Sequence, residues 1–240
     1  MNNSNKILIF VLALLLVGSL IFGQSMAAAN GPDPAEIGVD TAQQKLKEVS
    51  ISKFEDAGFW SVSMGRDQGV ATLRRLPGGS IDKEPIPDEA QIGLKDSDKY
   101  VLGVRVDYYK RGFNQFTITP ARPLPVEGIV KTVSLWVVGR NSPHTLKMLI
   151  SDQFGNKAEI TMGKLNFTGW KKLTVAVPTT IKQLDYHYAN KMGIKVDGFR
   201  VDCDPEETRG TYFFYLDDLR AVTDLFAEES RDVDDMMDNW

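Results

Sequence analysis

Apart from the carboxylates, few side chains here are suited to covalent or acid–base chemistry: two histidines, one cysteine and 32 Asp and Glu in 240 residues. His144, in "NSPHTLKMLI", shares its alternating phase with Leu146, Met148 and Ile150, which places it at the rim of a core. His187 sits in a polar aromatic loop, "LDYHYAN". Neither stands beside a glycine-flanked serine, an HExxH or a CxxC, so no local signature of a nucleophilic triad or a zinc site is present. Cys203, in "FRVDCD", falls in phase with Phe199 and Val201 and reads as a buried thiol behaving like a small hydrophobe. Glycoside hydrolysis needs two carboxylates about 5 to 10 Å apart, and nothing in the sequence selects such a pair. Glu55-Asp56 and Asp217-Asp218 stand out, because carboxylates on the first and last strands of a sandwich can share a structural calcium ion through hard oxygen ligands. Solvated charges or cross-strand partners of arginine explain them equally well. The sequence therefore assigns no catalytic residue, no metal ligand and no cofactor.

Aromatic residues are the remaining resource, and the candidates for contact with a partner or a glycan are Trp60, Tyr108, Tyr109 and Trp170. Sugars pack their C–H faces on exposed rings while neighbouring polar groups bond the hydroxyls. In "KLNFTGWKKLTVAVP" Leu173, Val175 and Val177 face inward, so Trp170 shares the outward phase of Lys172 and Thr174. A tryptophan placed there covers the sheet edge, stacks on a ligand or buries in a neighbouring subunit, and the pattern leaves all three open.

The elements that must position these residues are strands. "KYVLGVRVDYY" sets Leu102, Val104, Val106 and Tyr108 on one face against Gly103, Arg105, Asp107 and Tyr109 on the other. Similar alternation recurs in "GFWSVSM", "VATLRRL", "FTITP", "VKTVSLWVVG", "TLKMLIS", "KAEITM", "WKKLTVAV", "GFRVD" and "TYFFYLDDLRAV". About ten strands, separated by Gly, Pro, Asn and Asp clusters with no helical pattern between them, exclude βα units and predict an all-β, antiparallel two-sheet β-sandwich of jelly-roll type. "SDQFGNKAE" is the clearest hairpin, with Asp152 and Asn156 flanking Phe154-Gly155.

The ends differ from this body. Lys6, the apolar run Ile7 to Phe22 and the small residues of "GQSMAAA" have the form of a cleaved secretory signal over residues 1–29. Residues 30–50 read as a linker followed by one short helix, since Thr41 and Gln44 stand at capping-box spacing before "KLKEV", carrying the helix to about Val49. The sandwich then occupies residues 51–223. Residues 224–240 form an acidic tail with seven acidic residues and one arginine, on which Val233, Met236, Met237 and Trp240 fall at i, i+3, i+4 and i+7. That stripe reads either as an amphipathic hook for a neighbouring subunit or as a solvated tail. The chain carries a net charge of −4, concentrated in the tail, so the near-neutral body gives no case for nucleic-acid binding. A lone cysteine permits no intrachain disulfide, so stability must come from packing.

"KTVSLWVVGRNSPHTLKMLISDQFGNKAEITMGKLNFTGWKKLTVAVP" and "FRVDCDPEETRGTYFFYLDDLRAVTDLFAEESRDVDDMMDNW" resemble the outer-layer sheath proteins of spirochaetal periplasmic flagella, the FlaA family. "YVLGVRVDYYKRGFNQFTITPARPLPVEGI" is similar to the middle region of that family. The resemblance implies a non-enzymatic structural component of the filament in the periplasm, coating a flagellin core and contributing to filament shape, stiffness and cell motility. The implied partners are the flagellin core, other sheath proteins, copies of the chain itself and a glycan on the core, with no membrane contact once the signal is removed. The resemblance also implies a fold similar to carbohydrate-binding modules, so the alternative is a carbohydrate-binding, lectin-like module.

Overall fold

The computed structural model describes residues 46–86, 98–184 and 193–225. These residues fall in one compact unit, Pro34–Trp240. Twelve strands are described: β1 (Leu46–Ser52), β2 (Trp60–Met64), β3 (Gly69–Pro77), β4 (Tyr100–Tyr108), β5 (Gln115–Pro120), β6 (Leu124–Glu127), β7 (Ile129–Val138), β8 (Thr145–Ser151), β9 (Lys157–Lys164), β10 (Trp170–Ala176), β11 (Gly193–Asp202) and β12 (Thr211–Asp224). They make two six-stranded sheets in which all pairs are antiparallel, one ordered β10-β7-β12-β4-β3 with β1 also on β12, the other β2-β5-β11-β8-β9 with β6 also on β11.

Alternation makes the sandwich. Leu102, Val104 and Val106 of β4, Val133, Leu135 and Val137 of β7, and Phe214 and Leu216 of β12 are buried, and so are Phe116, Ile118, Leu146, Met148, Ile150, Phe199 and Val201 of the other sheet, all in one apolar cluster. Truncating one such side chain to alanine costs about 2–5 kcal/mol. The hairpin between β8 and β9 forms where the sequence predicts it, because Asp152 Oδ1 accepts the N–H of Phe154 at 2.9 Å and of Asn156 at 2.8 Å.

Each sheet is organised on its longest strand. β12 pairs β7 along one side, while on the other side β4 covers Thr211 to Leu216 and β1 covers Leu219 to Asp224. β11 does the same, pairing β8 on one side and dividing the other between β6 at Gly193 to Val196 and β5 at Phe199 to Asp202. At each handover the register slips: between Val196 and Gly198 in β11, and between Asp217 and Arg220 in β12. A bulge bends a strand and lets it change partners. Gly198 takes φ +140°, and a Cβ there would stand 2.2 Å from the Ile118 carbonyl oxygen. The equivalent kink in β12 is carried by Asp218 at φ +50°.

The N-terminal segment corrects the sequence reading. Residues 46–49, predicted as the end of a helix, belong to β1, with Leu46 opposite Asp224 and Val49 opposite Ala221. A capping-box spacing is a local preference, and the unpaired half of β12 overrides it by offering a full ladder of hydrogen bonds. The rest of the predicted helix, residues 41–45, lies outside the described residues. β1 and the four-residue β6 raise the strand number from about ten to twelve among the described residues.

Replacing Gly198 by Ala is expected to destabilise the protein by about 2–3 kcal/mol and lower Tm by about 5–10 °C. Gly210→Ala, also at positive φ but with nothing within 4 Å of its Cβ, should lose clearly less. Thermal denaturation of the two variants checks this, and equal losses would remove the collision with Ile118 as the cause.

Candidate functional site

The outward residues of the β12 sheet line up in rows across its strands. Arg74 stands opposite Gly103, Gly103 opposite Tyr215, Tyr215 opposite Val138 and Val138 opposite Trp170, giving one row across β3, β4, β12, β7 and β10. The row on one side is Thr72, Arg105 and Phe213, and the row on the other contains Asp217, Trp136 and Lys172. Gly103 leaves a gap in the middle of this face. A Cβ there would sit 3.1 Å from Leu76 Cδ1 and 3.2 Å from Tyr215 Cε1, so those side chains close in over bare backbone. The result is a groove of about 400 Å³ with Gly103 in its floor and Arg74, Leu76, Arg105, Phe213 and Tyr215 around it.

Phe213 is 43% exposed and Leu76 37%, so the groove has apolar walls open to solvent. The Arg140 guanidinium lies 5.4 Å from the Tyr215 ring centroid, a cation–π contact that steadies the ring. Arg105 Nε is 3.1 Å from Asp107 Oδ2. The Thr211 hydroxyl, donating to Asp107 Oδ1 at 2.6 Å, together with Arg105 holds that carboxyl below its ordinary range. Arg74 has no carboxylate partner among the described residues. Such a surface can stack a flat or apolar group on its rings and bond an acidic one through its arginines.

The four aromatic candidates do not gather in one cleft. Trp60 is 5% exposed and packs 4.9 Å from Phe54 and 6.1 Å from Phe199, centroid to centroid. It is a core residue, which corrects its reading as a contact residue: it shares the inward phase of Val62 and Met64, opposite Pro120, Ile118 and Phe116. Tyr108 also points inward. Its hydroxyl is 3.4 Å from His144 Nε2 and 3.2 Å from Cys203 Sγ. Because the Asp204 N–H donates to His144 Nδ1 at 3.0 Å, the network puts the imidazole proton on Nε2, facing Tyr108, and leaves the tyrosine proton for Cys203. Burial lowers the His144 pKa, keeping the ring neutral, and pushes the Cys203 thiol up to about 11. Cys203 is thus a protonated, inert core thiol, as its phase suggests. Tyr109, 65% exposed, stands in the bend after β4, and half-buried Trp170 opens β10 with Lys172 and Thr174 facing outward beside it. Val233, Met236, Met237 and Trp240 lie outside the described residues, as does His187.

The kink in β12 carries two buried carboxylates. Asp217 and Asp218 are 0% and 1% exposed. Lys83 Nζ reaches Asp217 Oδ2 at 2.7 Å and Asp98 Oδ1 at 2.5 Å, while Arg220 Nη2 is 2.7 Å from Asp218 Oδ2. Glu48 of β1 extends the chain of charges, 3.6 Å from Arg220 Nη1 and 3.9 Å from Lys172 Nζ. Cations from the β3–β4 connection and from β12 itself therefore stand against these carboxylates, Arg220 meeting Asp218 as an ion pair while, among the described residues, neither Asp218 oxygen accepts a hydrogen bond of good geometry. Among the described residues no three His, Cys, Asp or Glu side chains stand close enough to hold a metal ion together. The other pair named for such a site does different work, since Glu55 Oε1 accepts the backbone N–H groups of Lys99 and Tyr100 at 2.6 and 2.7 Å. Asp217 Oδ1 has no hydrogen-bond partner, and burial pushes that carboxyl up to about 6 against the pull of Lys83.

Residues 23–232 match the model of the family described as flagellar filament outer layer protein Flaa. The chain is 35% identical over 205 residues to a putative flagellar filament outer layer-like protein of Brachyspira hyodysenteriae, covering 85% of this chain and 92% of that one. It is 27% identical over 171 residues to the flagellar filament outer layer protein of Spirochaeta aurantia, a match spanning 56% of this chain and 51% of the relative. Among solved structures, the family 11 carbohydrate-binding module of Clostridium thermocellum aligns with a TM-score of 0.42 and 13% identity, over 73% of this chain and 95% of that one.

A carboxyl whose folded pKa lies above its unfolded value of about 3.9 holds more protons folded than unfolded between the two, so its contribution to stability falls as pH rises through that window and is level above it. The stability of the unsubstituted protein relative to Asp217→Asn is accordingly expected to fall between about pH 4 and pH 6. Urea titrations across that range test it; a difference that stays constant would show that Asp217 ionises in the fold as it does in the unfolded chain.

Proposed function

Because the chain belongs to the family of flagellar filament outer layer proteins, we propose that it is a structural subunit of the filament sheath in the periplasm of a spirochaete, laid over a flagellin core. The observation that carries this reading is the family match along residues 23–232 of 240. Copies pack against the core, against one another and against other sheath proteins, and those buried contacts set the curvature and stiffness of the filament. No bond is made or broken in this role. The signal-like segment at residues 1–29 supplies the route out of the cytoplasm, the sandwich at 46–224 the body of the subunit, and the segment at 226–240 a contact with a neighbour.

The outer face of the β12 sheet suits that work. Trp170, Tyr215 and Phe213 bring ring area to a surface that carries Arg74 and Lys172 on its edge strands and Arg105 beside Phe213, and aromatic and Arg residues are the types enriched where proteins meet. Tyr109 adds an exposed ring at the end of β4. The carbohydrate-binding alternative draws on the same exposed rings, without Trp60 and Tyr108; a glycan on the core would then be one of the sheath's contacts.

Filaments isolated from cells lacking this protein are expected to be thinner or to change helical curvature, as measured by cryo-electron microscopy. Filaments of unaltered diameter and shape would overturn the sheath reading. Calorimetric titration of the isolated protein with oligosaccharides released from the filament decides the alternative, which requires saturable binding.

A further inference from the structure

The groove over Gly103 joins apolar walls to two arginines, of which Arg105 is already paired with Asp107 of the same lining, so that Arg74 is the one left to meet the acidic C-terminal segment. Leu76, Phe213 and Tyr215 offer apolar surface, Arg74 and Arg105 stand beside it, and Arg74 lacks a carboxylate partner among the described residues. Residues 226–240 carry six acidic residues and one arginine around the stripe of Val233, Met236, Met237 and Trp240. We propose that the groove receives the segment 226–240 of a second copy of this chain, its methionine and tryptophan side chains on Phe213 and Tyr215 and its carboxylates on Arg74. The proposal rests on the reading of the chain as a sheath subunit and names the contact between neighbouring subunits.

Charge complementarity favours this occupant over an uncharged one, because Arg74 would be covered unpaired by a neutral ligand. Size agrees as well, since about 400 Å³ lies near the lower end of the roughly 300–1,000 Å³ of small-ligand sites and admits one or two large side chains.

Reach separates a second copy from the chain's own tail. β12 rises about 3.3 Å per residue, so Tyr215 lies about 33 Å back along the strand from Leu225. A chain leaving Leu225 must first reverse, which takes about four residues. The four that remain before Val233 cover at most about 14 Å, so the stripe begins about 19 Å short of Tyr215. Held on one helical face, Val233 to Trp240 advance only about 10 Å more and stop about 9 Å short, and only a fully extended tail, which would scatter the stripe over two faces, spans the distance. A neighbour displaced along the filament has no such shortfall. Passed on from subunit to subunit without reciprocal exchange, this head-to-tail contact builds a line, as a coat requires.

The test uses the protein purified after export, with the N-terminus that export leaves, and reads self-association by sedimentation velocity. Arg74→Glu in the groove and the tail pair Met237→Ser with Trp240→Ser are each expected to weaken association about tenfold, without further loss when combined. Charge exchange, Arg74→Glu together with Asp234→Arg and Asp235→Arg, should recover most of the loss, an outcome that a folding defect cannot produce. Full association in both single-site variants overturns the proposal. So does loss in the tail variant alone, which would place the tail elsewhere, or a chain that is monomeric at every concentration reached. Cross-links between tail and groove confined to one copy, in a mixture of isotopically light and heavy protein, overturn it too. Co-sedimentation with filaments is followed in parallel: variants that still coat filaments after such a failure remove this contact and leave the sheath reading standing.

Discussion

Two strands carry the architecture, and both obey the same constraint: each is longer than any single partner on one of its sides. β12 must satisfy β7 along one edge and β4 then β1 along the other, and β11 must satisfy β8, then β6 and β5. A straight strand cannot hold two such partners in register with one face still turned to the core, because a one-residue slip exchanges the faces. The kink at each handover absorbs the slip. Gly198 does so by having no side chain where the Ile118 carbonyl comes close, and Asp218 by entering the left-handed region open to a short polar residue.

The two kinks differ in what surrounds them, and that difference shapes the edge of the sheet beside the groove. Around Gly198 the packing is backbone on backbone. Around Asp218 the strand presents two buried carboxylates, and the connection after β3 folds over them to supply Lys83, while β1 supplies Glu48 to Arg220. Buried ion pairs add little net stability against apolar packing, yet breaking one leaves a stranded charge at a cost of about 3–5 kcal/mol. They therefore act mainly to fix where the β3–β4 connection and β1 sit, and so fix the edge of the sheet beside the groove.

Much of this was legible in the sequence wherever one strand's own alternation decides the outcome. The phase of "KYVLGVRVDYY" puts Gly103, Arg105 and Asp107 outside and Leu102, Val104 and Val106 inside, and "WKKLTVAV" orients Trp170, Leu173 and Val175 correctly. Trp60 carried the same signal, since Val62 and Met64 share its phase, but an aromatic residue at a strand start also suits an exposed contact. What alternation could not supply was pairing between distant strands. β1 reads locally as a helix end because its partner is the last described strand, and the groove exists only because Leu76, Gly103 and Tyr215 come together from three strands far apart in the chain. Their types are unremarkable one at a time.

The pairing of the first described strand with the last has a kinetic meaning. β1, β4 and β7 all take their places on residues 211–224, so a polypeptide that has yet to deliver those residues owns no closed β12 sheet. At a ribosome adding about 5–20 residues per second, roughly 10–30 s separate the synthesis of β1 from that of its mate. During that interval β1 has no mate, and β3 with β4 and β7 with β10 can pair only as separate ladders, so the sheet cannot close until β12 arrives to join them.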